Sequence, residues 1–138
     1  AVSVAQADEL KQVPGVIAIG TDLLDSSRIG QALERHGERF VQRILTPAEQ
    51  TLYRSRANPL NFLAKQYAAK EALAKALGTG IAKGVGFQQL EILRDELGAP
   101  QVLLHAAAAE RLQFLGGQRA LVSLSDEGDW IQAFALLS

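Results

Sequence analysis

One segment constrains the fold of this 138-residue chain more than any other, the run from Pro59 to Leu77, PLNFLAKQYAAKEALAKAL. Asn58-Pro59 sets a side-chain cap before a proline at the first helical position, and Gly78 and Gly80 follow the last apolar residue. The run therefore predicts a helix with both ends defined. At about 100° per residue, Leu60, Phe62, Leu63, Tyr67, Leu73 and Leu77 point nearly all the way round it, with alanines between. A helix that is apolar on every side is buried, so the other elements must pack around this one.

Those elements can be read in order. Val16 to Leu24 starts as an apolar run and predicts a strand ending near Gly20-Thr21-Asp22, with Asp22 at the strand end. Ser26 or Ser27 caps a helix through about His36, closed by Gly37, and a short continuation carries Phe40, Val41 and Ile44. Thr46-Pro47-Ala48-Glu49 has the form of a capping box and opens a short helix to about Tyr53. Phe87 to Arg94 and Gln101 to His105 read as strands joined by a turn over residues 96–100. Ala106 to Leu115 is an alanine-rich helix, and Ala120 to Ser125 with Trp130 to Leu137 form a hairpin around residues 126–129. The expected class is α+β, an antiparallel sheet packed on one long buried helix, with residues 1–15 an N-terminal extension or tag remainder and 16–138 a single domain.

Composition narrows the function. Without cysteine, disulfides, thiolate metal sites and cysteine nucleophiles are excluded. The first residues carry Asp8 and Glu9 where a signal peptide needs a basic and then an apolar stretch, which predicts a cytoplasmic protein with no membrane segment. From Arg28 to Lys83 there are ten Lys and Arg against four acids, although the whole chain has a net charge of −1. Such a basic block suits a polyanionic ligand or an acidic protein. Nucleic acid is disfavoured, since aromatics make up 6% and no recognition motif for it can be read.

On the long helix, Glu71 and Lys75 share a face with Leu60, Ala64, Ala68 and Ala72. One reading is an ordinary i,i+4 ion pair. The other is a ligand site, because small alanines allow close approach and charge on an apolar face needs a metal, a phosphate or an opposite charge. Asp22 is either an early helix cap or a second carboxylate, and two carboxylates suit Mg²⁺, which fills its other positions with water and substrate phosphates. His36 and His105 have no ligand spacing, so zinc is not expected. Gly78-Thr79-Gly80 matches neither phosphate-loop fingerprint, yet its backbone could line a ligand. Arg28, Arg35, Arg39 and Arg43 would form one stripe on a continuous helix, a solvated face or a docking strip for an acidic partner, with Gly37 interrupting it.

The segments VIAIGTDLLDSSRI, RFVQRILTPAE, FLAKQYAAKEALAKALGTGI and VSLSDEGDWIQAFALL resemble, in order and spacing, the holo-[acyl-carrier-protein] synthases, the short bacterial class of 4′-phosphopantetheinyl transferases. The resemblance runs from about Val16 to the C-terminus. It implies Mg²⁺-dependent transfer of 4′-phosphopantetheine from coenzyme A to a serine of acyl carrier protein for fatty acid biosynthesis, releasing 3′,5′-ADP, in a homotrimer with sites between subunits. It makes Asp22 and Glu71 the metal ligands, Glu71 the acceptor of the serine proton through a metal-bound water, and Lys75 the cation at the diphosphate. Lys70, Lys75, Gly78, Thr79, Gly80, Gln66, Ser123 and Asp126 become candidates for coenzyme A binding, and Arg28, Arg39, Phe40 and Arg43 for docking the acidic carrier. Gln66 stands where many members carry an arginine, and Asp126 where others carry histidine. The competing readings are a coenzyme A or nucleotide-binding module without turnover and a structural interaction domain. The first would break the acidic pair, and the second leaves Glu71 and Lys75 unexplained.

Overall fold

The long helix, α4 (Pro59–Leu77), has the predicted ends. The Asn58 side chain accepts from the Asn61 amide at 3.1 Å, Pro59 occupies the first turn, and Gly78 takes a left-handed conformation at the C-terminus. The computed structural model describes residues 15–138, so nearly all of the N-terminal extension lies outside the described residues. Before α4 come β1 (Ala18–Asp25), α1 (Ser27–His36), α2 (Glu38–Ile44) and α3 (Pro47–Ser55); after it come a 3₁₀ turn (Phe87–Gln89), β2 (Leu90–Arg94), β3 (Pro100–Leu104), α5 (Ala106–Phe114), β4 (Ala120–Glu127) and β5 (Trp130–Leu137).

The α+β class holds, with the strands divided between two antiparallel sheets. One is three-stranded in the order β1-β5-β4, and β2 pairs with β3 in the other. Strand β2 begins later than the sequence predicts because Phe87–Gln89 coils into the 3₁₀ turn. Alternation along β1 and β5 turns Gly20, Leu24, Ile131, Ala133, Ala135 and Leu137 inward, where they meet α4. Each of Ala64, Ala68, Ala72 and Ala76 on α4 is buried, as are Leu63, Leu73 and Leu77.

Small residues on both sides bring β1 and α4 unusually close. A Cβ at Gly20 would collide with the Ala72 carbonyl oxygen and stand 2.7 Å from the Ala76 nitrogen. Backbone cannot yield as a side-chain tip can, so only glycine fits there.

A buried polar cluster lies on another side of α4. Lys70, with no exposed side-chain surface, donates to Glu49 Oε1 at 2.6 Å, to the Ile44 carbonyl at 2.7 Å and to the Phe87 carbonyl at 2.9 Å. Glu49 completes the predicted capping box with Thr46 and also accepts from Gln66 at 2.5 Å and the Ile92 amide at 3.1 Å. Arg94 donates to Gln66 Oε1 at 2.8 Å, and among the described residues no buried side-chain polar atom is left unpaired. Burial pulls the Lys70 ammonium toward the neutral form and the Glu49 carboxylate opposes it.

Gly20→Ala is expected to cost about 3 kcal/mol through forced separation of strand and helix, read as a fall of roughly 10 °C in melting temperature. An unchanged melting temperature would contradict the packing described.

Candidate functional site

Asp22 sits inside β1 and not at its end, because the strand stays paired to β5 through Asp22↔Ala133 and on to Asp25↔Trp130. Its side chain turns inward toward α4 and is 16% exposed. With the strand held against the helix by Gly20, Lys75 reaches across: its Nζ lies 3.0 Å from the Thr21 carbonyl and 3.2 Å from Asp22 Oδ1. The i,i+4 ion pair offered as the plain reading of Glu71 and Lys75 is thus replaced by a helix-to-strand pair. Glu71 has no salt bridge among the described residues.

Glu71 instead faces a cleft of about 360 Å³ lined by Asp22, Leu24, Arg28, Ile29 and Tyr67. Burial pushes its carboxyl pKa up and the negative charge of Asp22 adds to that, while Lys75 and the Tyr67 hydroxyl oppose the rise. Two carboxylates share one cleft with incomplete cationic compensation, a donor set that fits a hard divalent cation with room for water and phosphate oxygens. Among the described residues no group of three acid, histidine or cysteine ligands occurs, so a metal held by this pair would need most of its oxygens from elsewhere.

A second cleft of about 290 Å³ adjoins the first, sharing Phe40, Tyr67 and Glu71 and adding Arg43, Ile44, Ile81 and Phe87. Tyr67 stands between the two, its ring centroid 6.3 Å from that of Phe40 and 5.4 Å from that of Phe87. Burial and the nearby Glu71 carboxylate raise its phenol pKa. The sequence counted Tyr67 only as an apolar residue of α4; its position one turn before Glu71 was the available signal.

Gly37, at φ +57°, separates α1 from α2 and breaks the arginine stripe. Arg28, on α1, lines the acidic cleft and Arg43, on α2, the adjoining one, while Arg39 is exposed on α2.

Two candidates for ligand contact are enclosed. Lys70 and Gln66 have no exposed surface, and their polar atoms are engaged within the cluster around Glu49 and not at the surface of the chain. The wheel placed them on a buried helix without showing that Glu49 lay opposite. The amides of Gly78, Thr79 and Gly80 point at the Ala74 and Lys75 carbonyls to close the helix, which leaves the Thr79 hydroxyl and the shape of the turn as what they can offer. Gly78 and Thr79 line a separate recess of about 330 Å³ with Lys83 and Arg111. Ser123 lies on the outer face of the three-stranded sheet, opposite Phe134, away from Asp22. Asp126 accepts from Asn61 at 3.0 Å and pairs with Lys65 at 3.6 Å, near the start of α4. His36 is exposed, and His105 Nε2 lies 3.2 Å from Glu91.

The sequence profile of the 4′-phosphopantetheinyl transferase superfamily matches residues 18–135, which include every element of this site. The chain belongs to that superfamily. It is 48% identical over 122 residues to the holo-[acyl-carrier-protein] synthase of Halorhodospira halophila, covering 88% of this chain and 97% of that one. The crystal structure of the holo-[acyl-carrier-protein] synthase from Neisseria meningitidis superposes with a TM-score of 0.84 at 40% identity, over 90% of this chain and 99% of that one. The Helicobacter pylori holo-[acyl-carrier-protein] synthase solved in complex with coenzyme A gives a TM-score of 0.76 at 28% identity, over 87% and 99%. Within the superfamily, then, this chain is an enzyme of the holo-[acyl-carrier-protein] synthase kind.

A carboxyl whose folded-state pKa is raised stabilises the fold fully below its unfolded value and loses that contribution as pH rises through the folded one. Glu71→Gln is therefore expected to raise the melting temperature of metal-free protein at neutral pH, with the gain vanishing below about pH 4. Thermal melts in chelator check this; a lower melting temperature at neutral pH would contradict it.

Proposed function

We propose that this chain transfers 4′-phosphopantetheine from coenzyme A to a serine of apo acyl carrier protein in a Mg²⁺-dependent reaction, releasing 3′,5′-ADP. The observation that carries the reading is the juxtaposition of Asp22, Glu71 and Lys75 across β1 and α4, in a family whose similar members include one solved with coenzyme A. Asp22 and Glu71 would hold the metal, which when bound supplies charge neutralisation at the diphosphate.

The chain's own residues do the rest. Glu71, whose proton affinity is raised, accepts the proton of the carrier serine. The serine oxygen forms a bond to the pantetheine-side phosphorus, and the bond from that phosphorus to the bridging oxygen breaks, so that 3′,5′-ADP departs with that oxygen. Lys75, half exposed beside Asp22, stabilises the negative charge gathering on the departing phosphate. Phosphoryl transfer asks for positioning and charge compensation, not a covalent intermediate on the enzyme.

Arg28, Arg39 and Arg43, with Phe40 between them, give the acidic carrier a basic surface beside the cleft. The outer face of the three-stranded sheet exposes Ile19, Leu23, Leu121, Trp130 and Phe134. Such an apolar face supports assembly into a homotrimer, and it would place Ser123 in the interface, where a second copy can complete the coenzyme A site.

Incubation with apo acyl carrier protein, coenzyme A and Mg²⁺, read by intact mass, should show one phosphopantetheine adduct on the carrier. Chelation of the metal or Glu71→Gln should abolish it. Absence of an adduct with the unaltered enzyme, or a near-normal rate in the variant, would defeat the reading.

A further inference from the structure

The Lys70 cluster has a second consequence, in the shape of the cleft beside Glu71. Of the two main-chain carbonyls that Lys70 grips, one belongs to Ile44, the last residue of α2, and the other to Phe87, the first of the 3₁₀ turn. Both residues line the cleft in which Glu71 and Arg43 stand. Between these walls lies Tyr67, with Phe40 of α2 on one side of its ring and Phe87 on the other. Lys70 is one position before Glu71 in the chain, so its grip references both walls to the helix that carries the acid.

The chemistry of the grip is specific. The last carbonyls of a helix have no partner inside it and carry partial negative charge, so an ammonium at the Ile44 oxygen both satisfies and attracts the end of α2. Thr46, two residues beyond Ile44, and Glu49 extend the same cluster into α3. A hydrophobic side chain in place of Lys70 could fill the volume but could not hold three acceptors on three elements. Glu49 would keep its amide and Gln66 donors, whereas the carbonyls of Ile44 and Phe87 would lose this one.

We infer that Lys70 is a positioning residue for carrier protein, setting where α2, with Arg39, Phe40 and Arg43, stands relative to Glu71. This rests on the transfer reaction and docking surface proposed above. Lys70 touches no substrate, so its removal acts on the carrier's fit and leaves the coenzyme A side of the site in place.

The obvious variant, Lys70→Met, leaves Glu49 without its counter-charge and can lose the fold, since breaking a buried pair is strongly destabilising. Lys70→Gln keeps a donor for Glu49 but is too short to span all three acceptors. Both are to be assayed with apo acyl carrier protein and coenzyme A below their melting temperatures. In Lys70→Gln the KM for carrier should rise roughly tenfold, with the KM for coenzyme A changed by less than about twofold, as expected when one partner's alignment alone is disturbed. Equal rises in both KM values, an unchanged carrier KM, or failure of both variants to fold would overturn the inference, leaving Lys70 a role in stability only. A wild-type enzyme that gives no adduct in the same assay would sink the proposed reaction instead, so the two failures are distinguishable.

Discussion

Everything at the site depends on how closely β1 lies against α4. At Gly20 the strand meets the helix backbone with no room for a Cβ, and that contact decides which residues of the strand a helical side chain can reach. Lys75 spans the gap to Thr21 and Asp22 because the gap is narrow. With ordinary side chains at Gly20 or Ala72 the layers would stand farther apart, and Asp22, Glu71 and Lys75 would be separate surface charges.

The helix handles its charges in two ways. Lys70 is enclosed and fully paired, three acceptors holding one ammonium, so it contributes order and no reactivity. Glu71, the next residue, faces an open cleft beside a second carboxylate and is pushed toward its protonated form. Successive positions on a helix differ by about 100°, which is enough to put one in a buried cluster and its neighbour in a site. Under-compensated negative charge next to fully compensated charge is what makes Glu71, and not Lys70, the candidate functional position.

The sequence revealed most where local chemistry decides structure. The caps at Thr46 and Asn58, the glycine stop at Gly78 and the hairpin before Trp130 all appear where turn and capping residues predicted them. Long-range contacts were less legible. Nothing in the spacing told that Glu49, read as a capping-box acid, would also be the counter-charge of Lys70, or that Lys75 would choose Asp22 over Glu71. Asp22 was placed at a strand end because the apolar run stops there, whereas pairing with β5 carries the strand on to Asp25. The family motif sets Lys70 beside Glu71, and Gln66 stands where other members carry an arginine, but neither observation told that both side chains would be enclosed around Glu49.

The account stands or falls on the acid pair as the place where metal and diphosphate meet. Crystals grown with coenzyme A and Mn²⁺ as a visible substitute for Mg²⁺ would locate the ion by anomalous scattering. The account predicts an ion bridging Asp22, Glu71 and the coenzyme A diphosphate. An ordered diphosphate with no ion at that pair, or an ion bound elsewhere, would contradict it.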